Sequence, residues 1–338
     1  MARCIQLAKQ GASNVAPNPM VGAVLVFKDS IIGEGFHEKY GEPHAEVNCL
    51  NSVNEEYRHL IEKGTLYVSL EPCAHFGKTP PCTNLIIHNK IKKVVIGCAD
   101  VFKKVSGKGI QQLKDAGVEV AVGVLAIECI ELNKRFFTFH QKQRPYIILK
   151  WAQSADGKIG SSSGERILIS NDYSNRLAHK WRSEEAAILV GTNTALKDNP
   201  SLTIRLWKGK NPTRIVIDKY LKLPSTLNIY NDEAGAIIFN TSKIETKNNI
   251  QFIKLENENF LQSLLLSLYD MNIQSVLVEG GAKTLQSFID AGLWDEARVI
   301  INEKLRIKDG VSSPELKGFV LKKQKKYFSD LISYYRKG

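Results

Sequence analysis

Long apolar runs are missing from this chain: no stretch approaches the roughly 20 residues that a membrane span requires, so a membrane role is not expected. No secretory leader is expected either, because Met1-Ala2-Arg3-Cys4 runs straight into a helix-like pattern (Ile5, Leu7, Ala8) without an apolar core or a small-residue cleavage site. A cytoplasmic protein is expected. Cysteine is scarce, six in 338 residues, and without secretory features this points to reduced thiols and metal ligands rather than a disulfide framework. Cys4, Cys49, Cys98 and Cys129 read as plain buried thiols. Acidic residues are outnumbered, 35 against 46 Lys and Arg, for a net charge of +11. The excess is mostly lysine scattered along the chain, densest from Lys317 to Lys326. That distribution suits a solvated surface and small anionic substrates better than a polynucleotide groove. No repeat or low-complexity tract is present.

What is there is the composition of an ordinary globular protein, 43% hydrophobic and 24% charged. The length exceeds what one core usually supports, so two domains are expected, 1–142 and 143–338. Up to about residue 140, short β-rich runs (Val21 to Phe27, Ile31 to Phe36, Thr65 to Leu70, Val94 to Cys98, Val118 to Val122) alternate with helical stretches at the N-terminus and from His44, Thr83, Ile110 and Ala126. This alternation predicts an α/β sandwich around a largely parallel sheet. The polar stretch His140 to Pro145 interrupts the pattern and marks a boundary. Strands are then expected at Tyr146 to Ala152, Ala187 to Val190, Arg214 to Asp218, Gly235 to Phe239, Ser275 to Glu279 and Glu296 to Ile301. Helices are expected at Asp172 to Glu184, Phe260 to Asn272 and Lys283 to Ala291. Lys317 to Gly338 gives no placeable pattern.

Three residues in the first half suit one metal ion. His44 opens a helix after Pro43, Cys73 follows a strand within Glu71-Pro72-Cys73, and Cys82 precedes a helical run after Pro80-Pro81. A catalytic zinc takes three imidazole or thiolate ligands and keeps its fourth position for water. Helix N-termini favour the thiolate that the metal needs. Glu46 lies two residues past His44, so the two side chains diverge on a helix and Glu46 is free to move protons as a general acid and base. His-x-Glu followed by Pro-Cys is the pattern of zinc nucleobase deaminases, in which zinc-bound hydroxide attacks the amino-bearing carbon. In the short form of that pattern two residues separate the cysteines, whereas here Ala74 to Pro81 intervene. In the second half, Val278-Glu279-Gly280-Gly281-Ala282 reads as a strand and two glycines opening a helix, a junction that offers free amides to a phosphate or simply a tight turn.

With these strings in hand, Pro17-Asn18-Pro19-Met20-Val21-Gly22, Gly41-Glu42-Pro43-His44-Ala45-Glu46 and Glu71-Pro72-Cys73-Ala74-His75-Phe76-Gly77-Lys78-Thr79-Pro80-Pro81-Cys82 resemble the bifunctional pyrimidine deaminase/reductases of riboflavin biosynthesis. Leu149 to Ile159, Lys197 to Thr203 and Arg214 to Asp218 are similar to that family's reductase half. The resemblance implies a cytidine-deaminase-like α/β/α sandwich followed by a dihydrofolate-reductase-like α/β domain. It implies Zn2+ and NADPH as cofactors and a small phosphorylated pyrimidine as substrate, with no nucleic-acid partner, and a homo-oligomer is expected. The implied reactions are deamination of 2,5-diamino-6-ribosylamino-4(3H)-pyrimidinone 5′-phosphate and then reduction of its ribose to a ribityl chain. Asn18, His37, His75 and Lys78 would hold the deaminase substrate. Ala152, Leu168, Thr194, Asp198, Gly280 and Gly281 would face NADPH, and Lys150, Arg166, Arg182, Leu202, Arg205 and Glu279 the reductase substrate.

Departures from the family accompany the match. Val101-Phe102-Lys103 stands where Pro-Asn-Pro is usual, Arg166 where a small residue is usual, and Leu168 where a tryptophan packs on the cofactor. Asn199 replaces a common aspartate, and Asn302 to Ile307 replaces Pro-Lys-Leu-Leu-Gly-Gly. Two other readings compete: a deaminase with a non-catalytic second half, and an RNA-editing deaminase. The long loop between Cys73 and Cys82 argues against the latter.

Overall fold

The computed structural model describes residues 1–76, 80–102 and 106–338. It contains two compact units, Met1–Gln143 and Arg144–Gly338. In the first, α1 (Ala2–Ala8), β1 (Gly22–Phe27), β2 (Ser30–Phe36), α2 (Ala45–Asn51), β3 (Thr65–Leu70), α3 (Cys82–His88), β4 (Lys93–Cys98), α4 (Lys108–Asp115), β5 (Glu119–Val122), α5 (Ala126–Leu132) and α6 (Lys134–Lys142) follow in order. The sheet runs β2-β1-β3-β4-β5. β3, β4 and β5 are parallel, while β1 pairs antiparallel with both β2 and β3. The sheet is therefore mixed rather than largely parallel, because a tight turn at Lys28 and Asp29 folds β2 straight back on β1. One face of the β1–β3–β4 centre is apolar: Leu25, Leu66, Val68, Val94 and Ile96 are buried and pack with Cys49, Leu50 and Ile86 from α2 and α3. Helix α6 continues through His140 to Lys142, where the polar sequence suggested a break. Phe136, Phe137 and Phe139 bury its inner face, and that burial outweighs the polar run.

The second unit comprises β6 (Tyr146–Ser154), β7 (Lys158–Ser161), α7 (Asp172–Glu184), β8 (Ala187–Gly191), α8 (Thr192–Asp198), β9 (Thr213–Ile217), β10 (Ala236–Asn240), β11 (Glu245–Lys247), β12 (Ile250–Lys254), α9 (Phe260–Asp270), β13 (Ser275–Gly280), α10 (Ala282–Asp290), β14 (Glu296–Asn302), β15 (Gly310–Ser312), β16 (Phe319–Tyr327) and β17 (Asp330–Lys337). Its ten-stranded sheet has the order β11-β12-β10-β9-β8-β13-β6-β14-β17-β16. From β12 to β14 neighbouring strands are parallel, and the edges are antiparallel. The chain leaves β8 outward through β9, β10 and β12, then returns to insert β13 between β8 and β6. Such a reversal of winding opens a crevice at the carboxyl ends of the strands, where ligands bind in open α/β sheets.

Ile147, Leu149, Leu189, Val276 and Val278 bury one face of this sheet under Leu264, Leu268, Leu285 and Phe288 of α9 and α10. On the other face Trp181 of α7 packs with Tyr146, Ile148 and Leu277. The stretch Asn302–Lys308 is pinned rather than loose: Asn302 Oδ1 accepts the Lys304 and Leu305 amides, and Asp156 accepts those of Ile307 and Lys308.

Candidate active sites in the two units

Three elements of the first unit converge on one point. His44 is the N-cap of α2, with extended backbone (φ −74°, ψ 166°). Cys82 is the first residue of α3, and Cys73 lies in the loop after β3, where the Cys82 and Thr83 amides donate to its sulfur and its carbonyl. The His44 Nδ1 atom is 3.3 Å from Cys82 Sγ and 3.6 Å from Cys73 Sγ, and all three donors lie within 4.8 Å of one another. A tetrahedral zinc with its ordinary bond lengths would separate such donors by about 3.6 Å, so this donor set fits the ion. A hydrogen bond from Cys82 and contact with His44 hold Cys73 down to about 4 against the opposing cost of burial, and Cys82 is raised.

Glu46 is 3% exposed on α2, and the Cys82 thiol is hydrogen-bonded to it. Burial, and then the Cys73 thiolate, push its carboxyl up. His37, also buried, donates from Nδ1 to the Pro43 carbonyl (3.0 Å) and accepts the Asn18 amide at Nε2 (3.1 Å), while its ring meets that of His44 edge-on at 5.3 Å. His37 and Asn18 thus brace each other beside the ligand. His75 stacks obliquely on Phe102 (6.2 Å), which packs in turn on His140 (4.9 Å). His75 Nδ1 is buried with no hydrogen-bond partner among the described residues. Lys78 lies outside the described residues.

Sequence reasoning missed what Glu71 does. Its buried carboxylate accepts four backbone amides, those of Asp100 and Gly107 on Oε2 and of Gly109 and Ile110 on Oε1. It therefore staples Asp100, Gly107 and the first turn of α4 to the segment 71–73. Gly109 sits so close to the Pro72 carbonyl that no side chain would fit between them. The signal was present in Glu71-Pro72-Cys73, but its partners lie about 30 to 40 residues away.

In the second unit a cleft of about 1110 Å³ lies beyond the ends of β8, β9 and β13. Of the residues named above, Arg166, Arg182, Thr194, Asp198, Leu202, Arg205, Glu279 and Gly281 line it, and Ala152, Lys150, Leu168 and Gly280 are not among the lining residues. Leu168 is 75% exposed. Lys150 reaches the cleft wall through Glu279, 3.9 Å from Oε2. Gly281 caps α10, and a Cβ there would stand 2.9 Å from Thr194 Oγ1, while one on Gly191 would overlap Thr284. Two helix starts, α8 and α10, are packed together by glycine at the cleft, which suits the phosphates and extended shape of a dinucleotide such as NADPH.

Glu279 is the electrostatic centre of the opposite wall. Arg182 grips it with two 2.8 Å bonds from Nε and Nη2. Burial would raise the Glu279 carboxyl, but Arg182 and Lys150 outweigh it and hold it at about 2. Burial in turn lowers Lys150. Arg182 is thus bonded to Glu279, whereas Arg205 is exposed and its guanidinium has no hydrogen bond or ion pair among the described residues. Asn199 adopts the left-handed backbone (φ 38°) that Asn tolerates, and accepts the Asn228 amide on Oδ1 and its side chain on the carbonyl. Asn228 belongs to a loop held from below by Arg214, which is fully buried and donates to the carbonyls of Asn228, Asn231 and Ala234 and to Asn231 Oδ1.

The first unit's donor set and sandwich are those of a zinc-dependent deaminase, and the second unit's cleft is that of a nucleotide-cofactor reductase. Residues 1–98 match the cytidine and deoxycytidylate deaminase zinc-binding region, and residues 145–324 the RibD C-terminal domain. The riboflavin biosynthesis protein RibD of Aquifex aeolicus is 42% identical over 94% of this chain and 89% of its own length, and that of Escherichia coli is 34% identical over 90% and 87%. A solved diaminohydroxyphosphoribosylaminopyrimidine deaminase/5-amino-6-(5-phosphoribosylamino)uracil reductase from Thermotoga maritima superposes with a TM-score of 0.91 at 36% identity, covering 100% of this chain and 97% of that one. Acinetobacter baumannii RibD gives 0.87 at 31% identity, covering 99% and 97%. The chain belongs to the RibD family of riboflavin-biosynthesis proteins. It is an enzyme with a zinc-dependent deaminase half and an NADPH-using reductase half.

Proposed function

We propose that residues 1–142 deaminate 2,5-diamino-6-ribosylamino-4(3H)-pyrimidinone 5′-phosphate and that residues 143–338 then reduce the ribose of the product to give 5-amino-6-(5-phosphoribitylamino)uracil. The observation that carries this reading is the meeting of His44, Cys73 and Cys82 at zinc-ligand separations beside the buried Glu46. Zinc held there supplies a water that ionises near neutral pH. Glu46 carries one proton of the attacking water to the ring nitrogen as the C–O bond forms, and the second to the amino group, which leaves as ammonia as the C–N bond breaks. Asn18, His37, His75 and Lys78 orient the ring, and His75 Nδ1 has a hydrogen-bonding position to fill. Phe102 presents an aromatic face where the family more often places an amide.

In the second step NADPH, when bound, would supply the hydride that C1′ of the ribose accepts. Thr194, Asp198, Gly280, Gly281 and Ala152 hold the cofactor, with Leu168 at the margin. Arg166, Arg182, Leu202, Arg205 and Glu279 hold the substrate, Arg205 offering a free guanidinium to its 5′-phosphate. The ring oxygen takes a proton as the C1′–O bond opens, and Lys150, 3.9 Å from Glu279 at the cleft wall, stands with the substrate-holding residues. The enzyme acts as a homo-oligomer in the cytoplasm on this reading, and among the described residues no helix is long and apolar enough to cross a membrane.

Incubation of the purified chain with the diaminopyrimidine phosphate, with and without NADPH, tests the assignment by product mass. The expected result is loss of one amino group in exchange for oxygen in both reactions, followed by a gain of two hydrogens only with NADPH. Release of ammonia without NADPH oxidation would leave a deaminase alone.

A further inference from the structure

The segment 202–205, which brings Leu202 and Arg205 to the cleft, belongs to no helix or strand. Its first residue has a left-handed backbone (φ 56°) although the side chain is buried. One turn of α7 holds it in place. Arg182 Nη1 donates to the Thr203 carbonyl at 3.2 Å, and His179 Nδ1 accepts the Arg205 amide at 3.2 Å. Residues three apart on a helix share a face, so His179 and Arg182 act as two adjacent pegs. Arg182 is also bonded twice to Glu279, so the same turn registers the segment against the carboxylate at the end of β13.

We propose that His179 is a positioning residue for the reductase substrate: by accepting the Arg205 amide it fixes the segment from which the free Arg205 guanidinium reaches the 5′-phosphate. This rests on the reading of the second unit as a ribose-phosphate reductase. Only a neutral imidazole can accept at Nδ1, since both nitrogens of the cation are donors. The environment secures that form: burial first, then Arg182 and Arg205, hold His179 down to about 4. Its proton is left on Nε2. A lysine or arginine at this position could not accept, and an aspartate would pair with the guanidinium it is meant to leave free.

Asparagine places an acceptor where Nδ1 stands, whereas glutamine reaches toward Nε2. The test therefore compares His179→Asn, His179→Gln and His179→Ala in the full chain. Steady-state reduction is measured with the deaminated 5′-phosphate and with its dephosphorylated riboside, and NADP+ binding by equilibrium titration. His179→Ala and His179→Gln are expected to raise KM for the phosphate about tenfold, the value of one hydrogen bond, with kcat within about twofold. His179→Asn is expected to restore most of the loss, NADP+ affinity to be unchanged, and the riboside to be turned over alike by all forms. An equal loss in His179→Asn and His179→Ala, an equal loss on the riboside, or weakened NADP+ binding would reduce His179 to a packing residue and overturn the proposal. A wild-type chain that binds NADP+ but reduces neither compound would instead overturn the reductase reading itself.

Discussion

The deaminase half gathers its reactive groups within 4.8 Å of one another on residues that open two short helices and end a strand loop, whereas the reductase half spreads its groups along a cleft of about 1110 Å³. In the first, spacing along the chain nearly determines the geometry, because cap positions and the turn after β3 aim the donors. In the second, the site is assembled from segments far apart in the chain. Glu279 at the end of β13 depends on Arg182 from α7 and Lys150 from β6, and each is useful only when the sheet order brings them together. A compact site is robust to its surroundings and fragile to any ligand change. A distributed one is the reverse.

That contrast can be broken or sharpened experimentally. Glu46→Gln should keep one zinc per chain by metal analysis while deamination falls roughly a hundred- to ten-thousand-fold, the usual range for a lost general acid and base. Cys82→Ala should lose the zinc as well, with NADPH oxidation on supplied intermediate retained in both. An undiminished rate of ammonia release from Glu46→Gln would remove the proton-transfer role. Glu279→Gln should cost the second unit about 3–5 kcal/mol, because it leaves buried cations uncompensated. Calorimetry should show its melting transition lowered and ammonia release intact, and an unmoved transition would refute the central place given to Glu279.

Glu71→Gln keeps the side chain's shape but turns an amide nitrogen toward two of the four backbone donors. Zinc affinity in a chelator competition is expected to fall about 10–100-fold, and unchanged affinity would mean that the staple does not reach the ligands. The smallest effect is on pH. His179 is held at about 4, below its ordinary 6.5, so it stays neutral when folded while the unfolded chain takes up a proton. Its contribution to stability is full above pH 6.5 and lost as pH falls toward 4. The pH dependence of second-unit melting should be shallower in that window for His179→Asn. Glu279 works in a lower one, contributing above about 4.5 and losing its contribution as pH falls toward 2.

The same contrast decides what the sequence revealed. Thr65–Leu70 and Asp172–Glu184 are found where periodicity put them, and His44, Cys73 and Cys82, singled out by the His-x-Glu and Pro-Cys strings, bring their donor atoms within 4.8 Å of one another. The hairpin of β16 and β17 escaped because β16 is an edge strand exposed along nearly its whole length, so Lys322, Lys323, Lys325 and Lys326 leave no alternating apolar signal. Helix α8 escaped because its seven residues bury only Ala195. Glu71 and His179 were silent for another reason: each is recognised only by backbone amides from distant segments, and backbone has no letter in the sequence.

Arg214 commits a buried cation to carbonyl groups of the Asn228–Ala234 loop. Its consequence is thermodynamic. Asn228 lines the cleft, and with its backbone already tied down the ordering of that wall is completed when the chain folds, not when the dinucleotide arrives. Cofactor binding should then carry little conformational entropy penalty on this side, and a calorimetric titration of an Arg214→Met chain should show it reappear as a more unfavourable binding entropy.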